Sequence, residues 1–125
     1  MIYLDTHVAA WLYAGLADRF PVIVRDALNN NPLAISPMVS LELQYLFEIG
    51  RTSEPAEAVV EVLQAQLEVT VCRKDFASIV AMARTMAWTR DPFDRLIVAH
   101  AALDQSRLVT KDAVVHQHYS LALWG

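Results

Sequence analysis

Asp5, Glu42, Asp94 and Asp112 stand where a hydrophobic segment gives out or a helix begins, and they are spread from the first five residues of the chain to the last fourteen. Carboxylates placed in that way have the makings of a metal site. Each also has a structural reading. Asp5 and Asp112 can cap the helices that follow them, and for Asp112 the pattern favours neither role. Glu42 resists such an explanation. Its helical neighbours at three and four residues are Met38, Val39, Tyr45 and Leu46, a largely apolar surface on which an unpaired charge must find a cation, a proton or a metal. Asp91 and Asp94 have the spacing of a capping box, with Pro92 at the first helical position, so Asp91 reads as an N-cap. Asp94 has Ile97 and Val98 one turn on, looks toward the core side, and reads as a ligand.

The remaining candidates carry weaker signals. His7, His100, His116 and His118 form neither an HExxH pattern nor the Cys and His spacing of a zinc site, which makes them structural histidines and disfavours zinc. Three glycines provide no phosphate loop, and there is no GxSxG elbow and no CxxC pair. Cys72 is expected to be inert core. The stretch Trp11, Tyr13, Leu16 is assigned to core packing, with a partner-binding face as the alternative.

Positioning four distant acids is the task of the elements between them. Met1 to Leu4 reads as a strand ending at Asp5, followed by a helix from His7 to about Leu16. A helix over Val22 to Leu28, a turn over Asn29 to Pro32 and a strand over Leu33 to Ile35 come next. Ser36 and Pro37 start a helix that runs to Ile49 with Glu42 in its second turn. Apolar residues at 56, 59, 60, 63 and 67 mark another helix, Val69 to Cys72 a strand, and apolar residues at 76, 79, 80, 83 and 86 a further helix. The last third holds a helix from Asp91 to about Asp104, a strand over Leu108 to Thr110, a short helix over Asp112 to His118 and a final strand over Leu121 to Trp124.

This alternation predicts an α/β fold, a three-layer α/β/α sandwich around a short, mainly parallel sheet of about five strands, because parallel neighbours need crossovers and the crossovers cover the sheet. In such sheets the functional crevice lies beyond the carboxyl ends of the strands. Asp5 and Thr110 to Asp112 fall there, and the helices carrying Glu42 and Asp94 start there or nearby.

With 125 residues, 55% of them hydrophobic, the chain is expected to form one domain spanning 1–125. A single cysteine, no signal-peptide pattern and no long apolar run predict a soluble protein of a reducing cytoplasm, with no membrane partner. The formal charge of −4 argues against a nucleic-acid partner until the four site acids are set aside: ten Asp and Glu then remain against ten Lys and Arg. A cation in the site would remove the repulsion of phosphate.

Four segments are specific enough to suggest a family. Leu-Asp-Thr-His-Val (4 to 8), Ser-Pro-Met-Val-Ser-Leu-Glu-Leu (36 to 43), Asp-Pro-Phe-Asp-Arg-Leu-Ile-Val-Ala (91 to 99) and Leu-Val-Thr-Lys-Asp (108 to 112) resemble, in order, the successive motifs of PIN-domain ribonucleases, closest to toxins of the VapC type. The resemblance covers the whole chain. It implies that Asp5, Glu42, Asp94 and Asp112 are the acidic quartet and Thr110 its hydroxyl residue; Thr6 and Ser40 occupy motif positions without an assigned role. The segment after Glu42, Leu-Gln-Tyr-Leu-Phe, matches only in general character and says nothing of substrate selectivity. The resemblance further implies Mg2+ or Mn2+, an RNA substrate, homodimers, and a cognate VapB-type antitoxin that covers the site.

The expected activity is therefore a metal-dependent endoribonuclease, the toxin of a VapBC-type toxin-antitoxin system. Hard oxygen ligands suit Mg2+ or Mn2+. Asp5 and Asp94 are expected as the main ligands, Glu42 and Asp112 as ligands through water or a second ion, and Arg95, Arg90 and Lys111 as phosphate contacts. Attack by water predicts a 5′-phosphate and a 3′-hydroxyl. Two alternatives stay open: a phosphotransfer or phosphatase domain with Asp5 as nucleophile, and a catalytically silent PIN-like binding module whose acids only cap helices.

Overall fold

Strands buried on both faces read as short, unbroken apolar runs, and Ile2–Leu4 and Leu33–Ile35 are buried at every position. In the computed structural model, which describes residues 1–125, these become β1 (Ile2–Leu4) and β2 (Leu33–Ile35) of a five-stranded sheet completed by β3 (Thr70–Val71), β4 (Arg107–Val109) and β5 (Ala122–Leu123). The order is β3-β2-β1-β4-β5, and every pair is parallel. The expectation of a mainly parallel sheet is thereby sharpened to a wholly parallel one. Leu4 pairs in register with Val109, which brings the residues that follow them, Asp5 and Thr110, side by side.

Seven helices surround the sheet in the expected three-layer α/β/α architecture: α1 (Thr6–Tyr13), α2 (Val22–Asn30), α3 (Pro37–Glu48), α4 (Ala56–Leu67), α5 (Phe76–Ala83), α6 (Pro92–Ala102) and α7 (Ala113–His118). One core cluster of 27 buried residues joins sheet and helices, with Leu4, Ile35, Leu108 and Val109 fully enclosed. Truncating any one of those leucines or the isoleucine to Ala would cost about 2–5 kcal/mol. No helix is long and apolar enough to cross a membrane.

Several boundaries move for local reasons. The first helix ends at Tyr13 rather than near Leu16, because Gly15 adopts φ +72° and closes the helix with two reversed hydrogen bonds, Leu16 N–H to Trp11 O and Gly15 N–H to Leu12 O. The second helix absorbs the first two residues of the Asn cluster, and the side chains of Asn30 and Asn31 donate to the carbonyls of Asp26 and Ala27. The third strand covers only Thr70–Val71, which leaves Cys72 outside it and partly exposed, not core as expected. α5 stops at Ala83, although Met86 beyond it is still buried, and α6 stops at Ala102, short of Asp104.

Candidate active site

The strand order reverses direction at β1, whose neighbours are β2 on one side and β4 on the other, and a crevice opens at such a switch point beyond the carboxyl ends. Asp5 leaves β1 at that point. Its backbone N–H donates to Val109 O at 3.0 Å, and its side chain caps α1 by accepting from Thr6 N–H at 2.8 Å. The other carboxylate oxygen accepts from the Thr110 hydroxyl at 2.6 Å. Thr110 is completely buried, and the same hydroxyl oxygen accepts from the backbone N–H of Asp112 at 3.1 Å. One hydroxyl thus couples the acid after β1 to the acid after β4.

Each helix brings its carboxylate by its first or second turn. Ser36 caps α3 through Met38 N–H, Pro37 takes the first position, and Glu42 follows, accepting from the Thr6 hydroxyl at 2.5 Å. Thr6, without a role from sequence, therefore holds Glu42. Asp91 caps α6 through Phe93 N–H at 2.9 Å, with Asp94 in the first turn. Asp112 caps α7 through the N–H groups of Val114 and Val115. For Asp5, Asp91 and Asp112 capping does not compete with a place at the site; pointing a helix N-terminus at the crevice serves both.

Asp5, Thr6, His7, Glu42, Leu46, Asp91, Asp94 and Asp112 line one open pocket of about 290 Å3. All four acids singled out from the sequence meet there. A larger cavity of about 710 Å3 lies against β3; its two acids are Glu68 and Asp104, the latter paired with Lys74 at 2.9 Å, and none of the four acids singled out from the sequence lines it. Crowding of like charge is written into the smaller pocket. Burial first, and then the charges of Asp91, Asp5, Asp112 and Glu42, push the Asp94 carboxyl up to about 7. Burial also raises Glu42, against the hydrogen bond from Thr6. No three of the His, Cys, Asp and Glu side chains close into a ready-made coordination shell. The five carboxylates have no Lys or Arg beside them in the pocket wall, so their like charge is uncompensated there.

The family model described as "PIN domain" matches residues 2–120. The chain belongs to the PIN-domain family. Among relatives of this PIN domain is Ribonuclease VapC22 of Mycobacterium tuberculosis, 32% identical over 120 residues that cover 94% of this chain and 91% of the relative. Two solved structures share the fold. VapBC2 from Rickettsia felis bound to a DNA fragment from their promoter aligns with a TM-score of 0.68 and 23% identity over 100% of both chains. A toxin-antitoxin complex from Klebsiella pneumoniae aligns with a TM-score of 0.65 and 16% identity over 98% of this chain and 96% of that one.

Not every expected contact reaches the pocket of this PIN domain. The Arg95 side chain is turned to Thr89 O at 2.8 Å and Arg90 to Ala87 O at 2.8 Å, so both guanidiniums are engaged by backbone carbonyls away from the pocket lining. Lys111 lies outside the lining as well, with its ammonium 5.9 Å from the centre of the Trp11 ring. Ser40 is also not among the residues of the pocket wall.

Two residues given only structural roles by the sequence belong at the site. Asp91 is both cap and wall. His7 lies with its Nδ1 3.7 Å from an Asp5 oxygen, while its Nε2 accepts from Lys111 N–H at 3.1 Å. That bond places the proton of a neutral ring on Nδ1, toward Asp5. Burial lowers its pKa, opposed by the charges of Asp5 and Asp112. The missed signal was position: two residues after an acid that ends a strand, in the first turn of the next helix. The other histidines behave as expected, His100 being buried with Nδ1 2.8 Å from Leu96 O and its pKa lowered by burial.

Proposed function

We propose that this chain is a metal-dependent endoribonuclease, the toxin of a VapBC-type toxin-antitoxin pair, that uses the pocket at the ends of β1 and β4 to hydrolyse RNA. The observation that carries the reading is the gathering of five carboxylates around one small pocket, with Asp94 raised to about 7 by burial first and by the neighbouring negative charges second. Kinship with a protein named as a VapC ribonuclease supports the nuclease assignment. The fold it shares with a toxin-antitoxin complex supports an antitoxin as partner.

The donor set fits a hard divalent ion: it is all carboxylate and hydroxyl oxygen apart from His7, and Mg2+ commonly takes only one or two carboxylates and keeps several waters. Asp5 and Asp94 would hold Mg2+ or Mn2+ most directly, with Glu42 and Asp112 completing the set. When bound, the ion supplies Lewis acidity for water and for the charge developing on a phosphodiester. Asp5 is fixed by the Thr6 N–H and the Thr110 hydroxyl, so it presents its oxygens without reorganisation. Glu42, held above the usual carboxylate range by burial, accepts the proton of the attacking water. The water oxygen bonds to phosphorus, the bond to O3′ breaks, and O3′ takes a proton, leaving a 5′-phosphate and a 3′-hydroxyl.

The experiment is to sequence the 5′ ends of cellular RNA after brief induction of wild type and of Asp5→Asn, with circular dichroism to verify the fold. New 5′-phosphate ends are expected only with wild type. A folded Asp5→Asn protein that cuts as wild type does would refute the reading.

A further inference from the structure

A chain with a net charge of −4 and an acidic pocket must find its attraction for a polyanion somewhere local. The wall of the pocket on the His7 side leads to such a place. The His7 ring lies 5.4 Å from the Trp11 ring, edge to face, and both belong to an aromatic cluster with Phe20 and Trp124. Two cations stand over Trp11: the Arg19 guanidinium at 5.2 Å from the ring centre and the Lys111 ammonium at 5.9 Å. Both are exposed, and neither has an acidic partner, the one Lys or Arg ion pair of the molecule being Lys74–Asp104.

This arrangement is built by the backbone. Gly15 reverses the chain after α1, and a single 3-10 turn over Ala17–Arg19 brings Arg19 back over the helix it has just left. Phe20, nearly fully buried, anchors the turn against Trp11 and Trp124. Lys111 comes from the other end of the sequence, between Thr110 and Asp112, with its N–H bonded to His7. A cation resting on an indole face is worth about 0.5–1 kcal/mol at an exposed site, enough to bias a long side chain toward one position without neutralising it.

We propose that Arg19 and Lys111, held over the Trp11 ring beside the acidic pocket, bind backbone phosphates of the RNA strand next to the bond that is cut. The inference rests on the ribonuclease reading and adds the substrate-gripping surface to it. Phosphate contacts set affinity and register without reading sequence. Trp11 is a positioning residue, since both of its cations would touch the strand and its ring would not.

The test uses a short labelled single-stranded RNA of mixed sequence, binding to the Asp5→Asn protein in Mg2+ over a range of salt concentrations. Adding Arg19→Gln and Lys111→Gln together removes two phosphate contacts, which should flatten the slope of log affinity against log salt by about 1.4, at about 0.7 per contact for a single strand. At about 0.1 M salt that corresponds to a tenfold to thirtyfold weaker dissociation constant, on the order expected from the same slope. The pair Arg73→Gln and Arg84→Gln makes the same change of net charge away from the pocket and should leave the slope as it was. Trp11→Leu, verified as folded, should weaken binding with both charges in place. An unchanged slope in the Arg19/Lys111 variant, or an equal loss in the Arg73/Arg84 control, overturns the proposal while wild-type cleavage still stands. Absence of cleavage and of binding by wild type overturns the ribonuclease reading and the proposal together.

Discussion

Thr110 is buried completely and yet carries no charge; what it contributes is a hydroxyl that donates to Asp5 and accepts from Asp112 N–H. Thr110→Val keeps the shape and deletes both bonds, stranding a buried carboxylate oxygen and a backbone N–H, at a cost of about 1–3 kcal/mol in stability. Outer partners of metal ligands typically account for about 10- to 100-fold in affinity or activity. RNA cleavage by Thr110→Val should fall in that range, and Thr110→Ser, which restores the hydroxyl, should recover most of it in the same assay. Asp94 offers a second residue-scale test through pH. A carboxyl whose folded pKa is raised to about 7 binds its proton more tightly in the folded state than in the unfolded one. Its contribution to stability is full in acid below its ordinary value near 3.8 and is lost as pH rises through 7. In EDTA, the melting temperature of wild type minus that of Asp94→Asn should therefore decline between pH 5 and pH 8. The comparison with Asp94→Asn removes the opposing effect of His7 and His100, whose lowered pKa values act in the other direction. A flat difference would mean that neither burial nor the neighbouring charges raise Asp94.

At the scale of the element, the reversal after α1 decides where the aromatic cluster and its cations sit. Gly15 adopts φ +72° with open space around its Cβ direction, so Gly15→Ala meets no clash and suffers only the left-handed backbone cost, about 1 kcal/mol. Chemical denaturation should show a loss of that size with an unchanged slope, and a loss of several kcal/mol would point to a packing role not visible at this turn. The same element shows what the sequence conveyed and what it withheld. Ser36–Pro37 and Asp91–Pro92 were legible as helix starts because cap chemistry is local, and both caps form. The end of α1 was not, because apolar Leu16 continued the helical period while Gly15 ended it. Thr6 had no role assigned from sequence and His7 only a structural one, for a related reason. Their partners, Glu42 and the backbone of Lys111, lie 36 and 104 residues away, and no local pattern encodes such distances.

For the whole molecule, the test is whether an ion relieves the repulsion stored in the pocket. A ligand at about a hundredfold its dissociation constant adds about 2.7 kcal/mol to stability. For a domain of this size that is roughly 10 °C in melting temperature. Titrating wild type with Mg2+ or Mn2+ should raise the melting temperature by that order, and Asp5→Asn should lose most of the rise; equal curves for the two proteins would refute a metal-binding role for Asp5. Fold class and the meeting of the four acids were readable because an all-parallel sheet collects its strand ends on one edge. The placement of the Arg90 and Arg95 side chains was not, since each bonds to a carbonyl of its own neighbourhood.

The strand order places β1 between β2 and β4, so Asp5 waits for a hydroxyl 105 residues further along. During synthesis, Asp5 emerges well before the partner it must find. A growing chain that has not yet released Thr110 and Asp112 exposes Asp5 without the hydroxyl and the second acid that share its pocket.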